Sequence, residues 1–179
     1  MIKLHLGCGR RNFGPDWVHI DGGDFEHLEH HDITNLPHGD ESVDVIYASH
    51  VLEYFDREEV ISVLREWRRV LKKGATLRIA VPDFEVMARL YIKRGYELKR
   101  FLGPIFGKIE MGPETVYHKT IYDFNDMETL LTSCEFHNVK RYDWRKTEHG
   151  HIDDCSQAYL PHMDKENGTL ISLNVECLK

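Results

Sequence analysis

The 179 residues are 41% hydrophobic and 30% charged, enough apolar content for one compact core, and no run reaches the ~18 apolar residues of a membrane-inserting helix. Thirty acidic against 23 basic residues leave a formal net charge of −7, with the basic ones scattered, which argues against capture of bulk nucleic acid. Cys8, Cys134, Cys155 and Cys177 form no C-x-x-C pair, and the first strand begins too early for a signal peptide to precede it, so a cytoplasmic setting is expected.

In chain order, an apolar strand ends in the turn Gly7-Cys8-Gly9, any helix after it is curtailed to about Arg10–Asp16, and Gly14-Pro15 argues against even that. A second apolar run, Trp17–Ile20, ends at Asp21; a third segment holds Asp32-Ile33; and Ser42–Tyr54 carries a long strand and its exit. Asp56 with Glu59 opens a helix whose stripe is Val60, Val63/Leu64, Trp67 and Val70/Leu71, with Lys72-Lys73-Gly74 as its stop. That stripe reads as core packing.

After the strand Thr76–Val81, the pattern predicts a helix from Pro82-Asp83 that buries Phe84, Met87 and Leu90/Tyr91 and stops before Gly95. The stretch from about 95 to 122 carries Gly103-Pro104, Gly107, Gly112-Pro113 and Val116-Tyr117-His118-Lys119. It reads as a lid over the acceptor, or else as a surface excursion with a short helix from Tyr96 to Leu102. A last helix is expected from Asn125, capped by Glu128, to about Cys134, followed by strands Asn138–Tyr142 and Leu170–Glu176. Strand and helix alternate as a parallel sheet in a single domain of residues 1–179 requires.

The first turn and its acidic partner suit a nucleoside, the glycines admitting the ligand and the carboxylate taking the ribose hydroxyls. A dinucleotide site needs a third glycine and an acidic residue about 20 positions on, but Asn12 stands at that glycine position and Asp21 follows Gly9 by only 12. A ligand without phosphates, such as S-adenosylmethionine, tolerates both departures.

Leu6-Gly7-Cys8-Gly9 resembles motif I of the class I S-adenosylmethionine-dependent methyltransferases, in a small stand-alone bacterial format. Asp21 matches the family's ribose carboxylate, Asp32-Ile33 its adenine pair, Ser42–Tyr54 its fourth strand and exit, and Trp67–Asp83 its helix, turn and fifth strand. The resemblance implies a Rossmann-like, doubly wound, mostly parallel seven-stranded sheet, here lacking the usual N-terminal helix. It implies S-adenosylmethionine as cofactor, held by Gly7, Cys8, Gly9, Asp21, Gly22, Asp32, Ile33 and Ser49. His5 departs from the acidic residue that many members carry two positions before the first glycine.

Methyl transfer is an in-line displacement in which alignment supplies much of the rate. A general base is needed when the acceptor is a hydroxyl or a protonated amine. His50, at the exit of the fourth strand, is the first candidate, His118 on the lid the second, and Asp83 the third, although Asp83 is also a good helix cap.

No metal is expected. His30 and His31 are adjacent and would face opposite sides of a strand, while His149-Gly150-His151 with Asp153-Asp154 lacks a fourth partner. The expected reaction is methylation of O or N on a small-molecule or glycan-type acceptor, and the long connection from Asp143 to Gly168 could touch that acceptor or the second subunit of a homodimer. The alternative is a non-catalytic binding or regulatory subunit with the same fold.

Overall fold

The structure, a computed structural model, describes residues 1–111 and 114–179; the Gly112-Pro113 pair lies outside the described residues. Three parallel strands open the chain, β1 (Lys3–Leu6), β2 (Val18–Ile20) and β3 (Val43–Ser49). Helix α1 (Glu59–Val70) leads into β4 (Leu71–Pro82), then come α2 (Phe84–Arg94), α3 (Lys99–Phe106) and the hairpin β5 (Ile109–Met111) with β6 (Glu114–Val116). Helix α4 (Phe124–Ser133), β7 (His137–Arg141), the short pair β8 (Tyr159–Leu160) and β9 (Thr169–Leu170), and β10 (Ser172–Leu178) close it.

The main sheet runs β2-β1-β3-β4-β10-β7, parallel through β4, with β10 antiparallel to both its neighbours. Successive strands leave β1 first to one side and then to the other, so a crevice opens beyond the carboxyl ends of β1 and β3. Helices α1 and α4 cover one face. Alternation puts Leu4, Leu6, Ile46, Ala48, Leu77, Ile79, Leu173 and Val175 on that face, where they meet Val60, Val63, Leu64, Trp67, Met127 and Leu131. Each of the larger of these side chains contributes about 1.5–3 kcal/mol by burial.

Among the described residues no α-helix covers the opposite face. His5, His19 and Tyr47 project from it and are buried under the Arg10–Trp17 loop and the chain between β7 and β10. Phe13 stacks between His5 and His149, at ring separations of 3.9 and 4.7 Å. The Tyr47 hydroxyl donates to buried Asp154, which also accepts from the Ser156 amide at 2.8 Å, and the Asn174 side-chain amide donates to the Ser156 carbonyl at 2.9 Å. The connection expected to reach an acceptor or second subunit therefore supplies the layer that helices would otherwise form.

Several local features depart from the sequence reading. Among the described residues the main sheet has six strands, one short of seven: the Asp32 carboxylate accepts the Thr34 amide and hydroxyl at 2.8 and 2.6 Å, and this turn competes with a ladder. An isolated Ile20–His30 bridge marks the third strand's place. No helix forms over Arg10–Asp16, where the Asn12 side chain accepts the Gly14 amide at 2.7 Å. Lys72-Lys73-Gly74 lies within β4 as an irregularity, with Gly74 at φ +73°, rather than ending α1.

Only Met87 and Leu90 of α2 are buried, because α2 packs beyond the end of the sheet against α3, which leaves Phe84 and Tyr91 exposed. The short helix of the 95–122 stretch runs over Lys99–Phe106 rather than Tyr96–Leu102. Asp123 caps α4 by accepting the Asp126 amide at 2.9 Å, the task assigned to Glu128 from sequence.

Candidate active site

The crevice between β1 and β3 is built by the first two turns. Gly7 sits at φ +63° and donates its amide to the Ile20 carbonyl at 2.8 Å; a Cβ there would stand 2.1 Å from Val51 Cγ2. Only glycine satisfies both the left-handed backbone and that approach. Gly9, at φ +54°, donates to Asp21 Oδ2 at 2.7 Å, and a Cβ on it would meet nothing within 4 Å. The Gly23 amide donates to Asp21 Oδ1 at 2.7 Å. Asp21 thus joins the two turns while each oxygen keeps a lone pair for a ligand hydroxyl.

Cys8 is buried and 3.7 Å from His27 Nε2; burial and then the nearby Asp21 push its thiol up to about 12, so it is a neutral lining group. Gly22 is exposed at the rim. The exposed Asp32 is held below the usual carboxylate range by its two Thr34 hydrogen bonds. The Ile33 carbonyl accepts the Trp67 indole N–H at 2.8 Å, so the Asp32-Ile33 turn is tied to α1 without any strand. Ser49 ends β3 with its hydroxyl oxygen buried and without a partner among the described residues. An open glycine rim, a carboxylate with spare lone pairs and an unpartnered hydroxyl at strand ends fit an adenosine-type cofactor.

His50 and His118, 68 residues apart, face the same buried carboxylate. His50 has φ +56° and donates its amide to the Ala80 carbonyl at 2.7 Å, which fixes its backbone at the exit of β3. Its Nδ1 lies 3.1 Å from Glu53 Oε1 and its Nε2 3.4 Å from the Ser172 hydroxyl. The His50–Glu53 contact is close but not aligned as a hydrogen bond, so both Glu53 oxygens are left without one, on a residue with no exposure.

His118 Nε2 is 3.8 Å from the same Oε1, its Nδ1 3.1 Å from the Pro104 carbonyl, and its ring stands edge-on to Tyr54 at 4.7 Å. Burial lowers the His118 pKa, with Glu53 opposing. The Glu53 carbonyl also accepts the amides of Lys119 and Thr120 at 2.7 and 3.3 Å, locking the two segments together.

Glu53 was missed from sequence. Its signal was an acidic residue three after His50 within the apolar run Val51-Leu52-Glu53-Tyr54. Asp83 is not part of this group: Oδ1 accepts the Val86 amide at 3.1 Å and Oδ2 the Arg141 guanidinium at 2.9 Å, so it caps α2 and anchors β7. His149 is buried in the aromatic stack while His151 is exposed, so the two do not form a pair.

Arg11, just past the glycine turn, donates to the Asp153 carbonyl at 3.0 Å and lies 3.9 Å from the Cys155 sulfur, tying the covering chain to the crevice. A surface groove of about 480 Å³ among Met1–Lys3 and Pro15–Val18 lies at the amino end of β1 and takes no part in the site.

A family model described as a methyltransferase domain matches residues 10–79. A demethylmenaquinone methyltransferase of Staphylococcus haemolyticus is 30% identical over 126 residues, 64% of this chain and 49% of the relative, so the chain spans about half that relative's length. An S-adenosylmethionine-dependent methyltransferase from Archaeoglobus fulgidus superposes with a TM-score of 0.61 at 15% identity, covering 99% of this chain and 86% of that one. The Burkholderia thailandensis 1,6-didemethyltoxoflavin-N1-methyltransferase, solved with 1,6-didemethyltoxoflavin and S-adenosylhomocysteine, gives 0.56 at 11% identity, covering 99% and 70%. At these identities the structural likeness is one of fold.

Proposed function

For a chain that has the fold of S-adenosylmethionine-dependent methyltransferases and matches a methyltransferase-domain model over residues 10–79, we propose methyl transfer to an oxygen or nitrogen of a small acceptor, carbohydrates included. The observation that carries this reading is the convergence of His50 and His118 on Glu53 at the β3 exit, next to the crevice framed by Gly7, Gly9 and Asp21. Bound in that crevice, the cofactor supplies an activated methyl on a sulfonium leaving group.

The chain's own residues do the rest. Asp21 takes the ribose hydroxyls, Ser49 offers its free hydroxyl at the strand end, and Gly7, Cys8, Gly9 and Gly22 leave the backbone open to the cofactor's tail, with Asp32 and Ile33 beside the adenine. His50 takes the acceptor's proton as general base, with Glu53 holding its ring and stabilising the imidazolium, a role worth about 10²- to 10⁴-fold. His118 belongs to the 95–122 stretch, which acts as the acceptor-side lid and excludes water. Asp83 keeps its structural role.

The non-catalytic alternative leaves the buried Glu53 carboxyl, whose side-chain oxygens have no hydrogen bond among the described residues, without a purpose, and burying an unsatisfied polar group is costly. The two readings separate in an assay that detects S-adenosylhomocysteine release over a panel of hydroxyl and amine acceptors. Turnover that falls at least about 100-fold in His50→Ala while cofactor still binds supports the enzyme. Cofactor binding without turnover on any acceptor class supports the binding subunit.

A further inference from the structure

Helices α2 and α3 form a lobe whose outward face is apolar and whose border is basic. On α3 and the residue before it, Leu98, Leu102 and Phe106 recur every four positions along one side, while Phe101 points the other way into Met87, Leu90, Leu160 and Ile171. Leu98 is 57% and Phe106 56% exposed, and on α2 Tyr91 and Ile92 are 51% and 76% exposed. Apolar ridges of this kind on two packed helices are not scattered surface residues but a patch.

The charge around the patch is segregated. Residues 85–110 hold Arg89, Lys93, Arg94, Lys99, Arg100 and Lys108 against Glu85, Glu97 and Glu110, a net +3 in a chain of −7. Arg89, Lys99 and Lys108 make exposed ion pairs with Glu85, Glu97 and Glu110, whereas Lys93, Arg94 and Arg100 make none among the described residues. No helix of the described residues is long and apolar enough to cross a membrane.

We propose that the α2–α3 lobe is a peripheral docking surface for an anionic lipid bilayer, its apolar ridge entering the headgroup boundary and its unpaired cations facing the lipid charges. A second copy of the chain is the poorer occupant, because a symmetric interface sets the net-positive patch against itself. Docking bears on the site directly: the Phe106 carbonyl accepts the His118 amide at 2.7 Å and the Pro104 carbonyl lies 3.1 Å from His118 Nδ1. The lobe therefore holds the mouth of the crevice at the bilayer surface, where an amphiphilic acceptor would present its head. That last consequence rests on the methyl-transfer reading; the docking itself does not, and the experiment reads docking alone.

The test is co-sedimentation of the full chain with vesicles of phosphatidylcholine, alone or with about one third phosphatidylglycerol. The protein is expected to sediment with the anionic vesicles and stay in solution with the neutral ones. Lys93→Glu/Arg94→Glu and Leu98→Glu/Leu102→Glu, all at exposed positions, each lower the bound-to-free ratio about tenfold or more with unchanged circular dichroism. Failure to sediment with anionic vesicles, sedimentation indifferent to both double variants, or a stable dimer in sedimentation velocity that Leu102→Glu dissociates would overturn the proposal.

Discussion

The amide of Gly9 donates to Oδ2 of Asp21 across 2.7 Å, so the turn after β1 and the turn after β2 are one hydrogen-bonded unit before any ligand arrives. Asp21→Ala removes this bond and the one from Gly23 together. Hydrogen bonds to charged groups contribute about 1.5–3 kcal/mol each, so the variant should bind S-adenosylhomocysteine at least about tenfold more weakly and melt at lower temperature. Calorimetry and a thermal melt check the two effects separately, and Asp21→Asn should fall between.

Gly7 carries two constraints that a double variant can separate. Gly7→Ala meets Val51 Cγ2 at 2.1 Å and strains φ +63°, so a loss of about 2–4 kcal/mol is expected in denaturant unfolding. In the Val51→Ala background the clash is relieved but the backbone strain is not, and the added cost of Gly7→Ala should shrink to about 1–2 kcal/mol.

Glu53→Gln keeps the shape of the side chain and removes its charge beside His50 and His118. The expected result in steady-state kinetics is kcat lower by about tenfold or more, with KM for the cofactor and the S-adenosylhomocysteine affinity nearly unchanged. A variant whose only defect is a lower melting temperature would assign Glu53 to the fold instead.

Acid should loosen the covering layer through its histidines. His149 is buried against Phe13 and Tyr47, and burial lowers its pKa to about 4, with Asp154 and Glu148 opposing and Arg78 and His151 adding to the fall. The unfolded chain binds a proton below about 6.5, so between there and about 4 only the unfolded state is protonated. Stability is fully present above pH 6.5 and is lost as pH falls toward 4, by up to about 3 kcal/mol from this residue. His5, lowered by its own burial and by neighbouring histidines and Arg11, acts in the same direction. His149→Phe, which keeps an aromatic ring beside Phe13, should flatten the loss measured by urea unfolding across that range.

Much of the fold was legible because its signals are local. The stripe from Val60 to Val70 and the runs into Gly7-Cys8-Gly9 and Asp21 each need only periodicity or turn chemistry. What was missed depends on tertiary partners. Asp32 spends its carboxylate on Thr34 and dissolves a strand, Phe84 and Tyr91 find no layer to enter, and Asp123 rather than Glu128 reaches the α4 amides. At the site, His50 and His118 were candidates singly, but their meeting at Glu53 comes from the path of residues 95–122 over the β3 exit, which no short-range pattern encodes. The layer of His5, Phe13, Tyr47, His149 and Asp154 was unreadable for the same reason, its members being scattered from residue 5 to 154.

The central claim is that the crevice held by Gly9 and Asp21 takes S-adenosylmethionine. Calorimetric titration of the wild-type chain and Asp21→Ala with S-adenosylmethionine, S-adenosylhomocysteine and NAD tests it most directly. Micromolar binding of the first two and none of the third, lost or much weakened in the variant, is the predicted result. Failure of both sulfur ligands to bind, or binding that Asp21→Ala leaves unaltered, would contradict the account.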